Sequence, residues 1–135
     1  MKSGRSGGQN WALSRPAQSS PDSDVAGRHV RRVEELFRKK AKEPLTLAEA
    51  AACAGCSVRA LQLAFRRSRD MTPMAALRRI RLDAARKALA DGPTSIRAVA
   101  AAYRFTNPGR FARLFKEVFG QFPSELRRAQ DRPTG

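Results

Sequence analysis

Two short stretches place polar side chains at helical spacing. In the first, Arg59, Gln62, Leu63 and Arg66 recur at i, i+3, i+4 and i+7, on one side of a helix. In the second, Arg113 is flanked around the helix by Gly109, Arg110, Lys116 and Glu117. Guanidinium groups arrayed along a helix suit planar and multivalent anions, phosphate above all. The whole chain shares this bias, with 27 Lys and Arg against 12 Asp and Glu and a net charge of +15. A polyanion is the favoured partner, and an anionic membrane surface is the second. Charge alone names no function, because packaging proteins share it.

Side chains suited to catalysis or metal binding are few. Cys53 and Cys56 form "CAGC", and a C-x-x-C can be a redox pair or half of a zinc site. A redox pair wants a strand just before it, whereas this one follows the helical "LTLAEAAA". Zinc wants four ligands, and the only histidine, His29, lies far upstream. The two cysteines therefore read as small apolar residues in a reducing compartment. No catalytic residue, metal site or cofactor is expected.

The elements that must carry the two charged faces can be read from caps and periodicity. Residues 25–42 read as a helix, with Val30, Val33 and Phe37 on one side and Pro44 marking its end. Thr46 and Glu49 have capping-box spacing before a short alanine-rich helix. Gly55 suits a turn with positive φ, and Ser57 caps the next helix, residues 58–69. There Leu61, Ala64, Phe65 and Ser68 point inward, opposite the charged face. Thr72-Pro73 opens a long helix to about residue 90, with Leu77, Ile80, Ala84 and Ala88 inward and "DGP" at its end.

From Ser95 the pattern repeats. Ile96, Val99 and Ala100 match Leu47, Ala50 and Ala51 at an offset of 49. After the turn the offset is 50, so that Asn107 matches Ser57, Phe111 matches Leu61, Phe115 matches Phe65 and Pro123 matches Pro73. The chain thus holds an internal duplication with one residue inserted in the second turn. Each copy is a short helix, a tight turn and an amphipathic helix, which is the helix-turn-helix plan. In the second copy Phe111, Leu114, Phe115, Val118 and Phe119 form the apolar stripe. Asn107 and Pro108 begin that helix, so its positive end lies near Gly109 and Arg110, where phosphate is favoured.

These residues resemble the DNA-binding domain of the AraC/XylS family of bacterial transcription regulators, over about residues 45–128. The second copy, "AVAAAYRFTNPGRFARLFKEVFGQFPSELR", is similar to the family signature in its turn ending in Phe, its F-x-R-x-F-K segment and its F-G-x-x-P. The segment "RRIRLDAARKAL" resembles the family's linker helix. The resemblance implies an all-α, homeodomain-like fold of two helix-turn-helix subdomains, about 45–69 and 95–120, joined by a long linker helix, about 73–90. It places a DNA-binding domain at 25–128, between a flexible tail or linker at 1–24, in which Trp11 is isolated, and a tail at 129–135.

By position, the family's base-contacting face falls on Arg59, Gln62, Leu63 and Arg66, and on Gly109, Arg110 and Arg113. Arginine bridges guanine O6 and N7, glutamine pairs with adenine N6 and N7, and leucine can touch a thymine methyl. Thr46, Ser57, Arg67, Ser95, Asn107 and Lys116 are placed for phosphate, which fixes register without reading sequence. Three residues depart from the family pattern. Arg104 stands where the second turn usually has glycine, which implies a strained left-handed backbone. Asp70 occupies the position that Gly120 holds in the later copy, and Phe122 replaces a threonine cap before Pro123.

The function implied is sequence-specific regulation of transcription, as an activator, in the cytoplasm at the nucleoid. The partners are double-stranded DNA and, for an activator, RNA polymerase; no membrane partner is expected. Two reading helices one turn of DNA apart imply an asymmetric site of roughly 20 bp, with bending of the duplex as a way to engage both. About forty residues precede the first copy, so the expectation is a monomer, unless the chain is a fragment of a longer, dimeric regulator. The alternative is a nonspecific nucleic-acid-binding or packaging protein, which shares the charge but does not require a duplicated, capped architecture.

Overall fold

The computed structural model describes residues 21–131, and Trp11 and both chain ends lie outside them. Among the described residues there are seven helices and no strand. They are α1 (Pro21–Lys39), α2 (Leu47–Ala54), α3 (Val58–Arg69), α4 (Pro73–Asp91), α5 (Ile96–Ala102), α6 (Pro108–Phe119) and α7 (Pro123–Asp131). None is long and apolar enough to cross a membrane.

Local sequence sets the helix ends. The Thr46 hydroxyl accepts from the Glu49 N–H (3.1 Å), and the Thr46 N–H donates to Glu49 Oε1 (2.8 Å). Ser57, Thr72, Ser95 and Asn107 each accept from the N–H three residues on, satisfying donors that the first turn leaves without partners. The expected helix at 25–42 begins earlier, at Pro21, whose fixed φ fits a first turn, and ends earlier, at Lys39.

The duplication extends to individual hydrogen bonds. Gly55 N–H donates to Ala52 O and Cys56 N–H to Ala51 O; Arg104 N–H donates to Ala101 O and Phe105 N–H to Ala100 O. Gly55 has φ 74° and Arg104 φ 71°, so both turns close helices through a left-handed residue. The offset stays at 49 through Phe105 and is 50 at Asn107, which makes Thr106 the inserted residue. Asp70 (φ 54°) and Gly120 (φ 79°) close α3 and α6 in the same left-handed way.

There are two cores. In the first, Val30, Val33 and Phe37 of α1 pack with Ala50 and Ala54 of α2, Leu61 and Phe65 of α3, and Ala76 and Leu77 of α4. The second joins Leu82, Ala85 and Leu89 of α4 to Val99 and Ala100 of α5 and Phe111 and Phe115 of α6, with Leu126 of α7 packed on it. The single inward stripe expected on the long helix is therefore corrected. Leu77 is buried, but Ile80, Ala84 and Ala88 are only half-buried, and Leu82, Ala85 and Leu89 are buried instead. At about 100° per residue, Ala76 and Leu77 of the first core lie roughly opposite Leu82, Ala85 and Leu89 of the second, because each half of α4 serves a different core. The helix is continuous over 19 residues, about 28 Å, so the two cores share one rod.

Candidate nucleic-acid interface

The face of α3 opposite the first core is open. Arg59, Gln62, Leu63 and Arg66 are all exposed, Leu63 at 48 %. Together with Thr72, the cap of α4, they line a shallow depression of about 280 Å³. A leucine so far exposed, beside Gln62 and two arginines, is available for contact with a methyl group. Arg67 is also exposed but lies outside this depression, on the far side of Leu63. It lines a groove between α1 and α3 with Val25, Ala26 and His29.

On α6 the corresponding face is Gly109, Arg110 and Arg113, again exposed. Phe111 and Phe115 are fully buried beneath it, and aromatic contacts continue through Phe105–Phe111 (5.0 Å between centroids), Phe111–Phe115 (5.7 Å) and Phe115–Phe119 (4.7 Å). Phe119 is half-buried, and its ring faces the guanidinium groups of Arg86 (4.9 Å) and Arg79 (5.7 Å). Gly109 has a structural reason of its own. A Cβ there would come 3.3 Å from Asn107 Oδ1, crowding the oxygen that caps the helix. Lys116 is exposed and lies 4.8 Å above the Phe122 ring.

The capping residues have hydrogen-bonding capacity left over. Thr46, Ser57 and Ser95 use their hydroxyl oxygens as acceptors for the backbone, which leaves each O–H to donate outward. Asn107 accepts through Oδ1 and keeps its NH2. Each therefore sits at a helix start able to donate to an anion.

Hydrogen bonds and ring contacts separate the arginines into two groups. Arg69 makes a two-pronged ion pair with Glu34, Nε to Oε2 (2.8 Å) and Nη2 to Oε1 (3.0 Å), and the carboxylate holds the Arg69 pKa above its ordinary value. Arg81 donates to the carbonyls of Ala41 (2.9 Å) and Glu43 (2.7 Å), and Arg127 to that of Thr94 (2.6 Å). Arg79 pairs with Asp83 (3.2 Å). By contrast, the side chains of Arg59, Arg66, Arg110 and Arg113 make no hydrogen bond, ion pair or ring contact among the described residues. The four arginines of the two outward faces are thus uncommitted, as are Arg78 and Arg104 beside them.

A cleft of about 310 Å³ lies between the first turns of α4 and the second turn, with Arg78, Arg81, Arg104 and Arg110 on its walls. The sequence reading did not include Thr72, Arg78 or Arg104 among contact residues. The arginine standing in place of glycine at 104 was the available signal. Cys56 packs against the first core, where burial pushes its thiol pKa up, and Cys53 and Cys56 are both free thiols.

The sequence matches the family model described as Helix-turn-helix domain over residues 50–129. It is 40 % identical over 102 residues to a probable thc operon regulatory protein of Rhodococcus erythropolis, covering 71 % of this chain and 30 % of that protein. It is 33 % identical over 97 residues to XylDLEGF operon transcriptional activator 2 of Pseudomonas putida, covering 70 % and 62 %. The chain thus spans less than two thirds of the length of these relatives. Among solved structures, a probable AraC family transcriptional regulator from Rhodopseudomonas palustris superposes with a TM-score of 0.72 at 38 % identity, covering 78 % of this chain and 98 % of that one. An AraC-type regulator from Chromobacterium violaceum shares the fold, with a TM-score of 0.74 at 23 % identity over 82 % and 99 % of the two chains.

Proposed function

The chain belongs to the AraC/XylS family of helix-turn-helix DNA-binding regulators, and from that premise we propose that it reads two successive major-groove segments with α3 and α6 and so regulates transcription. The observation that carries this reading is the division among the arginines. Arg59, Arg66, Arg110 and Arg113, none of them engaged in the fold, stand on the outer faces of the second helix of each unit, opposite the two cores. Charge serving only to pack nucleic acid would not need that repeated placement.

In this reading Arg59, Gln62, Leu63 and Arg66 meet one groove segment, and Gly109, Arg110 and Arg113 the next. Arginine and glutamine supply the two-pronged bonds to purines, and Gly109 lets the duplex approach the helix closely. Thr46, Ser57, Arg67, Ser95, Asn107 and Lys116 hold phosphates and set the register. The protein works by occupying DNA rather than by catalysis, as a monomer at the nucleoid. The name of the Pseudomonas putida relative supports an activating role, with RNA polymerase as the second partner.

Selection of bound sites from a random duplex library tests the reading. Two separated half-elements in an asymmetric site of roughly 20 bp are expected. Enrichment of no motif over random duplex at matched salt would replace it with nonspecific binding.

A further inference from the structure

We propose that the cleft between α4 and the second turn is a phosphate clamp, gripping the DNA backbone between the two groove segments with Arg78 and Arg104. This rests on the reading of α3 and α6 given above.

The cleft's walls include Met74, Arg78, Arg81, Tyr103, Arg104 and Arg110, and no acidic side chain lines it. The Lys42 ammonium lies 5.4 Å from the Tyr103 ring, adding a further cation nearby. Arg81 is already engaged with the Ala41 and Glu43 carbonyls. Burial, and then the neighbouring Arg104 charge, lower its pKa. The side chains of Arg78, Arg104 and Arg110 find no hydrogen bond or ion pair among the described residues. Like charges gathered around one concavity repel one another, and an anion seated there relieves the repulsion.

Position identifies the anion. Thr72, at the start of α4, lines the depression that holds Arg59, Gln62 and Arg66. The next turns of the same helix supply Met74, Arg78 and Arg81 to the cleft that holds Arg110. The path from one reading face to the other thus runs along α4 and over the cleft. A duplex engaged by both helices carries its backbone across that path.

Arg104 is the second observation. Its counterpart Gly55 takes the same left-handed conformation, φ 74° against 71°, and glycine does so without the steric cost an arginine bears. A strained residue at the rim of a cleft lined by arginines is accounted for by what its side chain does.

Arg104→Gly tests this without disturbing the turn, because glycine favours the φ already present, and Arg78→Gln supplies a second variant. Affinity for the selected site is measured against salt, and a methylphosphonate is moved through the DNA between the half-elements. Each substitution should lower the slope of log affinity on log salt by about one and leave base preference unchanged. Neutralising one or two of the intervening phosphates should weaken the parent protein most, each single variant less, and the double variant hardly at all. An unchanged slope with a flat scan, the half-elements still being selected, overturns the clamp alone. Selection of no half-elements overturns the clamp together with the reading beneath it. A saturable rise in Tm with benzoate that Arg104→Gly abolishes, alongside a flat scan, also overturns it, in favour of a site for small aromatic acids.

Discussion

An arginine can hold a protein together or hold a ligand, and its neighbours show which. Arg69, with its two bonds to Glu34, and Arg81, with its two carbonyls, tie distant segments to one another. Arg59 and Arg113 are exposed, on faces turned away from the cores. Replacing either by alanine should cost about 1–3 kcal/mol in binding and relax the preference at particular base pairs. Lys116→Ala should weaken all sequences alike, since a phosphate contact carries no sequence information. Binding of a panel of single-base variants of the selected site separates the two outcomes, and the same uniform loss for all three proteins would end the distinction. These faces were legible in the sequence because i, i+3, i+4 spacing fixes which side chains share a side. The cleft was not, since its walls come from α4 and from a turn some thirty residues later, which periodicity within one helix does not bring together.

Among the elements, legibility followed the chemistry of the ends. Thr46, Ser57, Thr72, Ser95 and Asn107 cap as their types require, so five helix starts could be read directly. The seventh helix could not, because Phe122 has no side-chain acceptor and α7 is rich in polar residues. Its start is held from one side only, by Phe122 N–H donating to Glu125 Oε1 at 2.7 Å, half of a capping box. The long helix was misread for a different reason, since one face cannot serve two cores on opposite sides. The aromatic stripe of α6 was read correctly at its centre. Phe115 is fully buried in the second core, so Phe115→Ala should destabilise by about 3–5 kcal/mol. Phe119, half-buried at the end of the stripe, should cost distinctly less when truncated. Urea unfolding gives both values, and equal losses would show that the second core extends to Phe119.

At the scale of the molecule, two similar units are of use to a duplex only if their separation and relative rotation are fixed. That is the work of α4, whose first half is buried in one core and whose second half is buried in the other. The border falls between Arg81, tied back to the connection between α1 and α2, and Leu82, buried in the second core. Seven helix-forming residues inserted at that border add two turns, about 10 Å, and nearly preserve the rotation. Both cores keep their own residues, so stability in urea should stay close to that of the parent. Affinity for the parent site should fall toward that for a single half-element, because only one helix can then engage it. A fresh selection should return the same two half-elements farther apart. If affinity and spacing were both unchanged, α4 would not be the ruler, and the path from α3 to α6 along it would not be the path the DNA follows.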